Sequence, residues 1–273
     1  MRNTKTARTI IAAIFAGLAG FVANAAPADP PVPPGRDPGG RAIAMISAGI
    51  NYTRPHIAQM LARDGEGEII GYDFVDDDRR PFAAEGDTSI AELVIGEGQA
   101  TTLIVLRAAL ADTVRAGRAI KYATDTQARI TLVSTPPADA SQSALISAAA
   151  SHFSKHLFIV PAGDATAALE TRANLIVVAA APAEGDKALP VTTADILTPS
   201  VSETGVQTVA APGTPAALAA ARIAALAARL QAVEPELAPD AAKLRILSLA
   251  EPLTPPAAGP RLIANPRRHF WLE

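Results

Sequence analysis

A short polar turn, Ser47-Ala48-Gly49, marks the place in this sequence where a functional site is first expected. It follows an apolar run at residues 42–46 that predicts a buried strand, and its glycine permits a sharp change of direction. A helix is predicted from about residue 54, and a second strand over residues 68–74. Strand, turn and helix at this spacing form a parallel α/β unit, in which ligands bind at the carboxyl ends of the strands. The hydroxyl of Ser47 is therefore the first candidate functional group.

The residue types present exclude several other chemistries. The sequence contains no cysteine, so disulfides and thiolate metal sites are ruled out. Its four histidines are scattered, and none of them belongs to a complete zinc motif. We therefore predict no metal and no cofactor. The net charge of −3, with the two signs interspersed, does not indicate a nucleic-acid-binding surface.

Strands and helices alternate along the chain after this first unit. Apolar runs predict strands over residues 102–107, 129–134, 157–162 and 174–180, and shorter β-like segments over 191–197 and 206–210. Helices are predicted from residue 87 or 88 and over residues 112–124, 141–153, 214–233 and 239–249. The alternation predicts a three-layer α/β fold, with a mostly parallel central sheet and helices on both faces. We expect one such domain over residues 41–250.

Local signals add detail to two of these helices. Asp87 or Thr88 is expected to cap the helix that begins there, because both side chains can accept a hydrogen bond from a free backbone N–H. In the helix over residues 112–124, four apolar residues are expected to face inward. These are Val114, Ala119, Ile120 and Ala123.

The stretches MISAGINYTRPHIA and IIGYDFVDDD resemble the start of a subtilisin-like serine protease (subtilase) domain. The resemblance continues through LFIVPAGD and VQTVAAPGTPAALAAARIAALAARL, and covers roughly residues 42–249. It implies a subtilisin-like fold and, by family, peptide-bond hydrolysis. That reaction needs a serine hydroxyl, an imidazole that takes its proton, a carboxylate that orients the imidazole, and an oxyanion donor.

The resemblance places different residues at all four functional positions. The Asp position is Ser47, the His position is Asp87, the Ser position is Pro215 and the oxyanion Asn position is Asp164. Proline has neither a hydroxyl nor an N–H, so Pro215 can neither attack a carbonyl nor donate a hydrogen bond. Taken with the family pattern, this set predicts an inactive pseudoprotease that has no catalytic residue.

Other residues leave alternatives open. Asp164, Asp87 and Glu92 resemble the acidic residues of the sedolisins, although that variant also needs the serine replaced by Pro215. Thr214 and Ser134 are the nearest hydroxyls. We interpret Thr214 mainly as a helix N-cap and Ser134 mainly as a solvated turn residue, and keep both as candidate binding residues. Ser47 and Asp87 are expected to hydrogen-bond to each other.

Two further polar groups have simpler interpretations. His56 is interpreted as a surface histidine. The acidic run at residues 76–78 could hold calcium, which prefers clustered oxygens, but Arg79 and Arg80 beside it favour a self-neutralised, solvated turn. The apolar residues of the long helix at 214–233 indicate a core helix, because Arg222 and Arg229 interrupt it as a membrane span.

The termini carry their own signals. Three basic residues precede an apolar run at residues 9–22, and Ala23-Asn24-Ala25 fits the small-x-small cleavage rule. Residues 1–25 are therefore predicted to be a signal peptide that directs export to the periplasm or the medium, cleaved after Ala25, with an uncleaved anchor as the alternative. Residues 26–40 predict a disordered, proline- and glycine-rich linker. Residues 251–273 form a C-terminal tail. Its part from residue 261 to 273 is basic and aromatic, and we expect it to dock through Phe270 and Trp271.

Together these features predict an exported domain whose role is to bind, regulate or organise rather than to hydrolyse. An extended peptide or a protein segment is the expected partner, because it can align along a sheet edge. The alternatives are a serine endopeptidase with non-standard catalytic residues and a structural protein of the cell envelope. No nucleic acid and no stable membrane span are expected.

Overall fold

A single sheet organises the structure, a computed structural model in which residues 29–181, 193–200, 214–252 and 260–268 are described. In this part of the chain the sheet has nine strands in the order β2-β3-β1-β4-β5-β6-β7-β9-β8. Seven of its eight strand pairings are parallel, and only β8 and β9 pair antiparallel. The mostly parallel sheet predicted from the alternation of strands and helices is confirmed.

The strands are short and largely buried on both faces. Their bounds are β1 Arg41–Ser47, β2 Tyr72–Asp73, β3 Thr101–Arg107, β4 Ile130–Val133, β5 Leu157–Pro161, β6 Leu175–Ala180, β7 Ile196–Thr198, β8 Glu251–Pro252 and β9 Arg261–Leu262. Continuous apolar runs such as LFIVP in β5 suit strands that are covered by helices on both sides.

Six α-helices of the described residues cover the two faces. They are α1 Pro55–Ala58, α2 Thr88–Gly98, α3 Thr113–Asp125, α4 Ala140–His152, α5 Pro215–Val233 and α6 Pro239–Ser248. One core joins the sheet to α1, α2, α5 and α6, and a second core joins it to α3 and α4. The result is the predicted three-layer arrangement, with helices on both faces of the sheet.

Three local predictions were wrong. The strand predicted over residues 68–74 is reduced to Tyr72–Asp73, and the helix after residue 54 is the single turn Pro55–Ala58. Val114 was expected to face inward, but it is exposed. Ala116 lies in the core in its place, because the buried stripe of α3 runs through Ala116, Ala119, Ile120 and Ala123.

The first part of the proline-rich segment docks on the domain rather than being disordered. Residues 29–36, the N-terminal arm, lie without regular secondary structure and contact residues before and after α1. The Tyr52 hydroxyl donates to the Pro30 carbonyl at 2.7 Å, and Arg63 Nη2 donates to the Pro33 carbonyl at 2.8 Å. A proline residue has no N–H, but its carbonyl oxygen can still accept a hydrogen bond. The arm is held in place because two such carbonyls accept hydrogen bonds from side chains of the domain.

The long helix α5 lies in the centre of one layer. It packs on α2 and crosses β1, β4, β5 and β6. It is the one helix of the described residues that is long and apolar enough to span a membrane by length and composition, and most of it is buried inside the domain. The residues that interrupt its apolar surface, Arg222 and Arg229, are buried as well.

Those two arginines are held by a buried ionic group. Arg222 Nε lies 3.0 Å from both carboxylate oxygens of Glu97 on α2. Arg229 donates to the Glu97 carbonyl and to the carbonyl of Pro266 in the C-terminal segment. A buried charge needs such partners, so this group ties α2, α5 and the C-terminal segment together. The predicted docking residues Phe270 and Trp271, like the signal peptide, lie outside the described residues.

Candidate functional site

Two loops meet at the carboxyl ends of β1 and β4, and glycines allow the close approach. The turn after β1 is left-handed at Gly49, where φ is +96°. A Cβ on Gly86 would lie 2.1 Å from the Gly49 carbonyl oxygen, so only glycine fits there. The N–H of Asp87 donates to that same carbonyl at 2.7 Å. This backbone contact brings Asp87 against the turn that follows β1.

The Asp87 carboxylate is the centre of a buried polar group. Its Oδ2 accepts the backbone N–H of Ala48 at 2.8 Å and the hydroxyl of Ser134 at 2.5 Å. Both Asp87 and Ser134 are buried, as is Ser47. Ser47, the Ala48 N–H, Asp87 and Ser134 are called the Asp87 cluster below.

This arrangement corrects two expectations about Asp87. It occupies the N-cap position of α2 but makes no capping bond, because its carboxylate is engaged in the cluster. Thr88 does not cap either; its hydroxyl accepts the backbone N–H of Asn51 at 2.9 Å. The carboxylate also bonds to the Ala48 N–H instead of the Ser47 hydroxyl, which accepts the Gly49 N–H at 3.2 Å.

The sequence missed the burial of Ser134. Interpreted as a solvated turn residue, it is in fact only 3% exposed, and its N–H donates to the Ile46 carbonyl of β1. A signal was available, because Ser47 and Ser134 each follow a strand directly. Once β1 and β4 are neighbours, as Ile46 opposite Val133 shows, these two serines must reach the same edge of the sheet.

A cavity of about 390 Å³ opens beside the Asp87 cluster. Its walls come from Ala48, from the loop that follows β3 and from the loop that follows β4. Arg107, at the end of β3 opposite Ser47, also lines it. Sequence reasoning did not single out Arg107. It ends β3, which pairs with β1 and therefore reaches the same carboxyl edge of the sheet as β1 and β4. An apolar cavity with a few polar groups at this edge has the character of a ligand site.

On the other side of Ser134 the surface is closed. The loop that follows β5 packs against the loop that follows β4: the Ala165 N–H donates to the Pro137 carbonyl at 3.2 Å. A Cβ on Gly163 would lie 2.6 Å from Pro136 Cβ, so no space separates the two loops there. Asp164 lies in this contact region with its side chain exposed.

Thr214 and Pro215 begin α5, and both are exposed. The Thr214 hydroxyl accepts the Ala217 N–H at 3.2 Å, so the predicted N-cap is confirmed, with Pro215 at the first helical position. Within the described residues no hydrogen bond joins Thr214, Pro215 or Asp164 to the Asp87 cluster. The structure therefore brings together Ser47, Asp87 and Ser134 from the predicted site set.

The acidic turn after β2 is neutralised, although not by Arg79 and Arg80. Arg107 Nη1 pairs with Asp73 at 2.7 Å and with Asp76 at 2.6 Å. Asp77 accepts from the Tyr72 hydroxyl at 3.0 Å. Carboxylate oxygens of Asp29, Asp73 and Asp76 lie within 4.8 Å of one another, close enough to share a cation. Because Arg107 already supplies the positive charge, a calcium role stays a prediction without further support.

His56 is a surface residue, as interpreted. Its Nε2 lies 2.9 Å from Glu92, which also pairs with Arg54 at 2.6 Å. Glu92 is thus held on the outer side of α2 by Arg54 and His56. It is absent from the Asp87 cluster, so the described residues do not assemble the acidic pair that a sedolisin-like mechanism needs.

Comparisons with solved structures decide the fold. A cold-adapted subtilisin-like serine proteinase superposes with a TM-score of 0.62, over 88% of this chain and 94% of that chain, at 14% identity. This is the subtilisin-like fold. The A subunit of the AB5 toxin from E. coli shares it with a TM-score of 0.58, at 14% identity over 85% of this chain and 92% of that one.

The nisin leader peptidase NisP from Lactococcus lactis also has the subtilisin-like fold. It matches with a TM-score of 0.55 and 11% identity, over 86% of this chain and 89% of that chain. No protein-family model matches the sequence, and no curated protein is similar to it. At such low identities the likeness concerns the fold, and the chemistry has to be argued from the residues.

Proposed function

We propose that this protein is a subtilisin-like domain without proteolytic activity, which acts by binding an extended peptide segment of a partner. The observation that carries the proposal is the Asp87 cluster. At the position where the family resemblance places the imidazole, a buried carboxylate accepts hydrogen bonds from Ser134 and the Ala48 N–H. A carboxylate is a far weaker base than the imidazole that the reaction needs.

The other positions support the same conclusion. Pro215 begins α5 at the position of the nucleophile, and the nearest hydroxyl, that of Thr214, is used as a helix cap. Asp164 would place an exposed carboxylate where a developing oxyanion needs a donor. No hydrolytic step can be written with these groups in their assigned positions.

Among the described residues of the Asp87 cluster, Ser134 supplies the hydroxyl that an unconventional hydrolase would use. Its contact with Asp87 is short, but Ser134 is buried, and the accepting carboxylate oxygen also holds the Ala48 N–H. Because Ser134 is only 3% exposed, it offers almost no surface to a substrate carbonyl. We therefore assign Ser134 a structural role within the cluster.

The cavity beside Ala48 and Arg107 is where the partner peptide would bind. It is lined by small and apolar residues of the two loops, including Ala109, Leu110 and Ala111. Such walls suit an apolar side chain of a peptide that runs along the edge of the sheet. The closed surface at Gly163 instead favours the purely structural envelope role, which is the second candidate.

Fluorophosphonate labelling followed by intact mass measurement tests the inactive state. We expect no covalent adduct and no release of fluorescence from a quenched casein substrate, with an active subtilisin as the positive control. An adduct on Ser134 or Thr214 would establish the unconventional hydrolase and overturn the proposal.

Peptide binding is tested separately with fluorescent extended peptides and fluorescence polarisation. We expect saturable binding that Ala109→Arg abolishes, because Ala109 is exposed at the cavity mouth and an arginine there fills it. Ala232→Arg, at an exposed position on α5, is the matched control and should bind normally. Absence of binding from an apolar peptide library would favour the structural role.

Export is part of the proposal, and residues 1–25 support it by composition alone. We propose that the signal peptide is cleaved after Ala25 and that the mature chain begins just before the N-terminal arm. N-terminal sequencing of the protein recovered from the periplasm or the medium checks this; an intact Met1 in a membrane fraction would indicate the uncleaved anchor.

A further inference from the structure

We propose that a second cavity, at the edge of the sheet opposite the Asp87 cluster, binds a small polyvalent anion with an apolar portion. The cavity measures about 910 Å³, within the usual range for small-molecule sites, and none of its lining residues belongs to the site described above. It is called the basic cavity below. The proposal does not depend on whether the protein hydrolyses or binds peptides.

The strand register places basic residues at the rim of this cavity. Ile43 of β1 lies opposite Ile130 of β4, and Ile130 lies opposite Leu157 of β5. The residues just before these positions therefore meet at the amino edge of the sheet. They are Arg41, Arg129, Lys155 and His156, and all four line the basic cavity.

The charges of these residues are available to a ligand. Among the described residues, no hydrogen bond or ion pair engages the side chains of Arg41, Arg129 or Lys155, and the last two are exposed. Glu236 is the one carboxylate that lines the cavity. Three free cations against one carboxylate leave a positive potential, which a concave wall concentrates.

His156 is a mostly buried polar residue of the cavity wall. It is 7% exposed, and its Nδ1 is buried without a hydrogen-bond partner in the described part of the chain. Buried polar atoms in native proteins are nearly always satisfied, so this ring is a sensitive reporter of any polar group that binds beside it. Burial, and then the charge of Arg129, lower the pKa of His156 and disfavour the charged imidazolium.

The remaining walls indicate that the anion has an apolar part. Phe153, which stands edge-on to His152 with ring centroids 4.7 Å apart, lines the cavity together with Ala128, Ala238 and Pro239. Such a surface can pack against a ring or an aliphatic chain while the anionic group meets Arg129, Lys155 and His156. Phosphorylated compounds and polycarboxylates both have this chemistry.

Calorimetric titration of the full chain with pyrophosphate and with citrate, at matched ionic strength, tests the proposal. We expect saturable binding of at least one probe, weakened roughly tenfold by Arg129→Gln and again by Lys155→Gln, as for the loss of one charge-assisted hydrogen bond. Arg79→Gln removes the same charge from an exposed position outside the cavity lining and should leave the affinity unchanged. The tighter of the two probes identifies the ligand as a phosphate or a carboxylate compound.

Nuclear magnetic resonance of His156 gives a second readout of binding, one that does not rely on the heat measured by calorimetry. Arg41, Arg129, Lys155, His152 and Glu236 are the charged or titratable groups that face it across the cavity. A bound anion should raise the pKa of His156, and at the same probe concentration the shift should be smaller in Arg129→Gln. Binding that is equal in all variants, or no saturable binding of either probe, would overturn the proposal.

Discussion

At the scale of single residues, the fate of Asp87 distinguishes this protein from a working protease. Its carboxylate satisfies one backbone N–H and one buried hydroxyl, and thereby joins the loop before α2 to β1 and β4. A buried carboxylate with two donors stabilises the folded state, because its removal leaves both donors without partners. The residue is therefore expected to matter for stability rather than for turnover.

Replacing Asp87 by alanine should lower the free energy of unfolding by about 1–3 kcal/mol, because the Ala48 N–H and the Ser134 hydroxyl then stay buried and unpaired. Urea unfolding of both proteins measures the difference. Ser134→Ala removes only one donor and should cost less.

A variant that carries both Asp87→Ala and Ser134→Ala distinguishes the energy of the contact between the two side chains from the effect of each substitution alone. We expect it to be more stable than the sum of the single losses predicts, with a coupling of about 0.5–3 kcal/mol, as for residues in direct contact. Strict additivity would show that Asp87 and Ser134 do not interact in solution, and the structural role assigned to the cluster would then fail.

At the scale of elements, the buried ion pair between α2 and α5 fixes how the two helices lie against each other, which the apolar packing of alanine side chains alone does not. Glu97 and Arg222 are 3% and 1% exposed, so their charges have little access to water. Arg222 also donates to the Pro199 carbonyl at 2.9 Å. Alanine side chains give little directional information, so this pair fixes how α5 is set against its neighbour.

Glu97→Gln keeps the shape of the side chain and removes its charge. We expect a loss of about 3–5 kcal/mol in the free energy of unfolding, because a buried guanidinium loses its counter-charge. Asp125→Asn, in the exposed pair with Lys121, is the matched control and should change stability by about 0.5 kcal/mol or less. Equal effects of the two substitutions would mean that Glu97 is hydrated.

At the scale of the whole molecule, the N-terminal arm extends the domain beyond its regular elements. Burial raises the pKa of Tyr52 to about 12, so its hydroxyl stays protonated and donates to the Pro30 carbonyl at any physiological pH. Arg63 holds the next part of the arm through the Pro33 carbonyl. The arm is thus fixed by donors from the domain.

Tyr52→Phe should release the arm while leaving the aromatic packing in place. We expect trypsin to cleave after the exposed Arg36 several-fold faster in this variant, because cleavage follows the population of the undocked segment. Mass spectrometry under native conditions gives the rate. Tyr122→Phe, a partly buried tyrosine of α3, is the control, and an equal rate in all three proteins would contradict docking in solution.

The sequence by itself determined the architecture of this protein and the chemical nature of its candidate groups. Apolar runs and helical spacing fixed the alternation of β3, α3, β4, α4, β5 and β6, because burial on two faces requires that pattern. The residue types alone established that Pro215 has no hydroxyl. The N-cap role of Thr214 followed from its position before a proline that begins a helix.

Only the tertiary structure decided how these groups are used. The order of strands in the sheet brought Ser134 to Asp87 and Arg129 to His156, and no local pattern encodes which strands are neighbours. Burial of Ser134, capture of the arm and neutralisation of the acidic turn by Arg107 all depend on residues far apart in the chain. These outcomes are set by long-range packing, which periodicity and local propensity do not contain.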